Sequence, residues 1–151
     1  MTTMTATSTQ IYQVFIKASP EQVWDAITKP EFTSKYFYGS VIDSTFEPGA
    51  SLNGWSSDRT QQYIDGEVLE SHPPQRLSHT WRALYDEETA AEPHSRVTWD
   101  IEPADGGVTK LTVVHDQLEA SPKTAENVAG GWSFILSGLK TLLETGEPLA
   151  G

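Results

Sequence analysis

The chain has 151 residues, 37% of them apolar, enough for one domain with a hydrophobic core. Its 21 acidic against 10 basic residues give a formal net charge of −11, which sets the surface against nucleic-acid and anionic-membrane partners. There is no cysteine, so disulfides and thiolate chemistry are excluded, and a cytoplasmic location is expected.

The opening MTTMTATSTQ has neither a basic region nor an apolar run, and residues 1–10 read as a flexible polar tail rather than a secretory signal. No stretch reaches the roughly 20 apolar residues that span a bilayer. IYQVFIK, Ile11 to Lys17, is β-branched and aromatic and reads as a strand. In ASPEQVWDAITKPEF, Ser19 is a natural N-cap, Pro20 takes the first helical position, and Gln22 follows three residues after Ser19. Val23, Trp24 and Ile27 share one face of that helix. Pro30 ends it and begins a second short helix through Phe32 and Tyr36.

Beyond Gly39 the pattern becomes extended. VIDSTFE and ASLNGWS flank a Pro48-Gly49 turn and read as a hairpin. QYIDGEVLESH is a longer strand closed by Pro73-Pro74, and QRLSHTWRAL is the next. The acidic stretch ALYDEETAAEPH, residues 83–94, reads as a solvated connection. SRVTWDIEP alternates cleanly, ADGG is a tight turn, and VTKLTVVHD is the last strand. Ser121-Pro122 is expected to open the terminal helix as Ser19-Pro20 opens the first. The order is one strand, two helices, six strands in a meander and one long helix. Short turns make the strands antiparallel, with one face left for the long helix to cover. Residues 11–146 form a single domain, with 147–151 as a tail.

In NVAGGWSFILSGLKTLLETG, Val128, Trp132, Ile135, Leu136, Leu139, Leu142 and Leu143 gather in a stripe roughly 120° wide. Gly131 and Gly138 stack along one border of that stripe. They permit either a close approach by another backbone or an open space beside the helix.

ASPEQVWDAITKPE, YFYGSVIDSTFEPGASL, IDGEVLESHPPQRLSHTW, SRVTWDIEPADGGVTKLTVVHD and GGWSFILSGLKTLLE together resemble the SRPBCC superfamily, the START and birch-pollen-allergen-like helix-grip fold. Within it the chain is similar to the branch of homologues of the activator of heat-shock-protein ATPase. The resemblance implies an α+β helix-grip fold, with a curved antiparallel sheet of about seven strands wrapped around the C-terminal helix. It also implies a pocket for apolar small molecules between sheet and helix. The branch is functionally mixed, so fold does not decide function.

Strand parity puts Leu77, His79 and Trp81 on one face, and Leu111, Val113 and His115 on another. The two imidazoles either orient or protonate a polar ligand atom, or sit in the core bonded to a neighbouring carbonyl or tryptophan. Candidate cavity residues are His79, Trp81, Trp99, Val113, His115, Gly131, Trp132 and Ile135, with Tyr36, Phe37 and Tyr38 at the rim. The four histidines lack HxH or HExxH spacing, so no metal site is expected. GxGxxG, GxxxxGK[ST] and GxSxG are absent, so no cofactor or catalytic motif is expected.

Three functions follow in order. The first is binding of a small hydrophobic or aromatic molecule, with no nucleic acid and no membrane as partner. The second is a protein-interaction, chaperone-modulating module, with a protein partner or a homodimer. Against it, only a short tail precedes the first strand, where the chaperone-binding namesake has a further domain. The third is a cyclase- or dehydratase-like enzyme.

Overall fold

The computed structural model describes residues 8–150. Strand β1, Gln10–Ile16, is followed by helices α1, Pro20–Thr28, and α2, Pro30–Tyr36. Then come β2, Val41–Asp43, β3, Ser51–Trp55, β4, Gln62–His72, and β5, Arg76–Ala83. A single helical turn, α3, Glu87–Ala90, precedes β6, Ser95–Ala104, β7, Val108–Asp116, and the long α4, Pro122–Thr145. Of the expected tail, residues 1–7 lie outside the described residues, as does residue 151. Among the described residues no helix is long and apolar enough to cross a membrane.

All seven strands join one antiparallel sheet in the order β1-β7-β6-β5-β4-β3-β2. The six later strands form the expected meander, and β1 closes its far edge on β7. Two irregularities bend it: register shifts at Gly54/Trp55 and between Val68 and Glu70. Gly66 permits a close approach of the two strands β4 and β5 between these shifts. A Cβ there would lie 2.1 Å from the Thr80 carbonyl oxygen, so no other residue allows β4 to approach β5 so closely.

The concave face carries Val97, Trp99 and Ile101 of β6 and Leu111 and Val113 of β7, all buried. Against it α4 sets Val128, Trp132, Ile135, Leu136, Leu139 and Leu142, the stripe read from the sequence, with Leu143 half-buried at its edge. Helix α1 adds Val23, Ala26 and Ile27 to the same core.

The start of α1 and the end of α4 follow local chemistry. At α1 the Ser19 hydroxyl accepts from Gln22 N–H at 3.1 Å, and Gln22 Oε1 accepts from Ser19 N–H at 2.9 Å. α4 ends at Gly146, whose φ of 82° is the left-handed cap a glycine supplies. The start of α4 departs from expectation, because the Ser121 hydroxyl caps nothing and instead donates to the Pro93 carbonyl at 2.9 Å. The cap comes from Glu92. Its carboxylate accepts from Lys123 N–H at 2.9 Å, Thr124 N–H at 2.7 Å and the Thr124 hydroxyl at 2.8 Å. Those donors, at the positive end of the helix, outweigh its burial and hold its carboxyl below the ordinary value.

The acidic stretch 83–94 is therefore more than a solvated connection. Asp86 caps α3 through Glu88 N–H, Thr89 is buried with its hydroxyl on the Ala83 carbonyl, and Glu92 reaches α4. Alternation of polar and apolar residues does not reveal such a strap, since its anchors are hydrogen bonds made by Asp86, Thr89 and Glu92 rather than a buried apolar face.

Candidate functional site

The centre of the concave face is built from two tryptophan–histidine pairs. His79 of β5 and His115 of β7 both lie opposite Val97 of the intervening β6, in one row across three strands. An indole N–H can only donate. Trp99 Nε1–H donates to His79 Nε2 at 3.0 Å, so the His79 proton is on Nδ1, which donates to the Thr80 carbonyl at 2.9 Å. Trp132 Nε1–H donates to His115 Nδ1 at 3.0 Å, so that ring carries its proton on Nε2, which donates to Ser95 Oγ at 2.7 Å. The Ser95 hydroxyl passes the chain on to the Trp81 carbonyl at 3.3 Å.

Both imidazoles are neutral and have both nitrogens occupied. Burial lowers the His79 pKa to about 4. Burial first, and then the proximity of His79, lowers that of His115 to about 3. Of the two arrangements open to the histidines, this is the core one: each ring is bonded to a tryptophan, and His79 also to a carbonyl. Neither is placed to take a proton from a bound molecule.

Beside this core lies a recess of about 500 Å³ between β4, β5 and α4. Its inner wall is Phe37, Ile64, Trp81, Val128, Trp132 and Ile135. The rings meet at an edge: Phe37 and Trp132 are T-shaped at 5.9 Å, and Trp81 lies 5.8 Å from Trp132. The mouth is polar-tipped, with Tyr38, Ser40, Tyr63, Tyr85 and Asn127. Tyr38 is 60% exposed and Tyr85 is 49% exposed. Tyr85 donates to the Asn127 amide oxygen, joining the strap to α4. Burial, with Tyr38 and Asp86 nearby, pushes the Tyr85 phenol pKa up and keeps it a neutral donor.

Tyr38 has a left-handed φ of 51°, and Gly39 follows with 74°. That double turn carries the chain from α2 to β2 and sets the Tyr38 ring outward, stacked on Phe134 at 5.3 Å. Among the described residues, no carboxylate, lysine, arginine or histidine lines the recess. One polar atom stands out. Among the described residues, Trp81 Nε1 is the buried side-chain nitrogen with no hydrogen-bond partner, an arrangement that costs about 1–3 kcal/mol.

The sequence-derived candidates thus divide. Trp81, Gly131, Trp132 and Ile135 line the recess, with Phe37 and Tyr38. His79, Trp99, Val113 and His115 lie in the packed core and do not line it. Tyr36 is no rim residue either. It is buried, with its hydroxyl donating to the Ala26 carbonyl at 2.7 Å. Strand parity gives the correct face but not the depth along it, which separates Trp81 from Trp99. Tyr63, Tyr85 and Asn127 also line the recess, although strand parity and the helical stripe do not point to them. Asn127 had a signal, since it stands one helical turn before Gly131 on the same border.

The two readings of the glycines each hold at one position. A Cβ on Gly138 would meet Tyr36 Cβ at 3.2 Å, so this glycine lets α4 press against α2. A Cβ on Gly131 would meet only the Tyr38 phenol, at 3.7 Å for its oxygen, and here the helix borders the recess. Gly131→Ala is accordingly expected to stabilise the helix by about 1 kcal/mol and raise Tm by about 3 °C. Gly138→Ala is expected to melt no higher than the parent, because Tyr36 Cβ is fixed to its backbone and cannot swing aside. Differential scanning calorimetry of the two variants checks this, and equal gains would contradict the contact.

A family profile described as Activator of Hsp90 ATPase homolog 1-like protein matches residues 17–144. No curated protein sequence matches the chain. Among solved structures, protein MLL2253 from Mesorhizobium loti is 24% identical with a TM-score of 0.73, over 90% of this chain and 96% of that one. An HSP90 activator from Plasmodium falciparum is 20% identical with a TM-score of 0.72, over 93% and 98%. The Aha1 dimer from Colwellia psychrerythraea is 18% identical with a TM-score of 0.71, over 91% and 97%. At these identities the structures speak for the fold, an α+β helix grip. The profile spans most of the chain, and with the sheet and helix in the order described it makes this protein a member of the Activator of Hsp90 ATPase homolog 1-like family.

Proposed function

We propose that the chain binds a small hydrophobic or aromatic molecule in the recess between β4, β5 and α4. The observation that carries this reading is the wall: Phe37, Trp81, Trp132 and Ile135 present mainly apolar surface around about 500 Å³, with the phenols of Tyr38 and Tyr85 at the mouth. That size and that distribution of polarity are those of small-molecule sites. Apolar burial would supply the affinity and the mouth the orientation. Trp132 and Trp81 both border the site, so binding would change intrinsic fluorescence.

The test is a titration with Nile red, a neutral environment-sensitive dye, against the parent and against Gly131→Leu. The leucine projects past Tyr38 into the recess, from a helix position that tolerates it. The parent is expected to saturate, and the variant, still folded by circular dichroism, to bind about tenfold more weakly or worse. Equal binding by both, or none by the parent, would remove the reading.

A second reading, engagement of an Hsp90-type chaperone, rests on the family description and on the HSP90 activator of the same fold. The exposed Tyr38–Phe134 stack is an aromatic edge suited to a protein partner. Chaperone binding that survived Gly131→Leu would assign it to a surface other than the recess.

A further inference from the structure

Two properties of the recess restrict what it can hold. The first is the Trp81 N–H. Trp99 and Trp132 each donate to a histidine nitrogen, whereas Trp81, with its ring 6.4 Å from His79 and 5.9 Å from His115, has no acceptor. Neither histidine can serve it. Their acceptor nitrogens are taken by the other two indoles, and their N–H groups are directed to the Thr80 carbonyl and Ser95 Oγ. Neither buried histidine therefore supplies an acceptor to Trp81, whose ring also borders the recess. The second property is the absence of charge. Among the described residues the lining offers phenols, indoles, one hydroxyl and one amide, and no cation to pair with an ionised group. An unpaired charge taken into such a wall loses its hydration without compensation, and the net charge of −11 adds repulsion toward anions.

Resting on the reading of the recess as a binding site, we propose that its ligand is an uncharged, planar aromatic molecule bearing a carbonyl-type oxygen that accepts from the Trp81 N–H. The ring would lie among Phe37, Trp81 and Trp132, whose edge-on and tilted packing leaves ring faces and edges for a further aromatic. The N–H is itself covered, so the acceptor meets it as the indole turns about its second side-chain torsion, a broad one for tryptophan. Long-chain carboxylates are disfavoured by the same argument.

Three probes on one ring frame test this: fluorene, 9-fluorenone and fluorene-2-carboxylate, each competing with Nile red. Fluorenone is expected to bind about tenfold more tightly than fluorene, the equivalent of one neutral hydrogen bond, and the carboxylate to bind most weakly. In Trp81→Phe both probes are expected to weaken as part of the aromatic wall is lost, and the fluorenone advantage over fluorene is expected to vanish. Equal affinity for fluorene and fluorenone in the parent would overturn the inference. So would an advantage that persists in Trp81→Phe, or tightest binding by the carboxylate. Nile red binding with none of the three competing would also overturn it, yet leave the recess a binding site; no binding by Nile red itself would remove that site. Should Trp81→Phe not fold, the Trp81 indole proton resonance serves instead. It is expected to move downfield with fluorenone and not with fluorene, and the same shift with both would count against the contact.

Discussion

Trp132→Ala is expected to lower the free energy of unfolding by about 5 kcal/mol. The ring is 1% exposed and makes edge-on contacts with Phe37, Trp99 and His115. Removing a buried tryptophan side chain costs about 3–5 kcal/mol by itself. It also leaves His115 Nδ1 without its donor, a further 1–3 kcal/mol, partly relieved by water admitted from the adjoining recess. A domain of this size has roughly 5–15 kcal/mol in total, so the variant should stand at the edge of folding. Trp132→Phe separates the two contributions. It keeps most of the packing, loses the hydrogen bond, and is expected to cost about 2 kcal/mol. Urea unfolding followed by circular dichroism gives both values. A loss below about 2 kcal/mol for the alanine variant would mean that the ring is not the keystone of this core.

The second large effect is on acid stability. With native pKa values of about 4 and about 3 against an ordinary 6.5, His79 and His115 bind fewer protons folded than unfolded. Stability then rises with pH across that interval and is complete above the unfolded value. As pH falls below 6.5 the unfolded chain is protonated first and gains relative to the native one. Two such groups give a slope approaching about 2.7 kcal/mol per pH unit, and unfolding free energy at pH 5.5 is expected to be about 3 kcal/mol below that at pH 7.5. The depressed carboxylates act lower. Asp65, where Arg82 and His94 outweigh burial, and Glu92 contribute stability that is present above the ordinary carboxylate range and lost as pH falls through their native values. The loss near pH 6 is therefore assigned to the histidines. Urea midpoints measured across this range check it, and a flat profile from pH 7.5 to 5.5 would show that the imidazoles are not held neutral by burial.

Much of this architecture is legible in the sequence because it depends on period and punctuation. The Ser19-Pro20-Gln22 signature makes its helix start with local atoms only, and the alternation of Val97, Trp99 and Ile101 sets one buried face. Where the deciding atom is distant in sequence, the same reasoning stops. Ser121-Pro122 carries almost the same letters as Ser19-Pro20, but the cap arrives from Glu92 and frees the serine for Pro93. Gly131 and Gly138 are equivalent on a helical wheel and differ in what faces them: the tip of Tyr38, from the turn after α2, at Gly131, and Tyr36 of α2 at Gly138. For the site, the face was readable and the depth was not. His79 and Trp81 share a strand face two residues apart, yet one is paired within the core while the other borders the recess and keeps a free N–H.

The carboxylate of Glu92 ties together parts that the chain order keeps apart. It anchors the first turn of α4 to the strap after β5, and the same strap brings Tyr85 to Asn127 at the mouth. The beginning of the helix and one jamb of the entrance are in this sense a single hinged piece, with Ser121 on Pro93 as its second pin. Displacing the strap would take the Glu92 cap from the first turn of α4, so one ionised group couples the edge of the recess to the start of that helix.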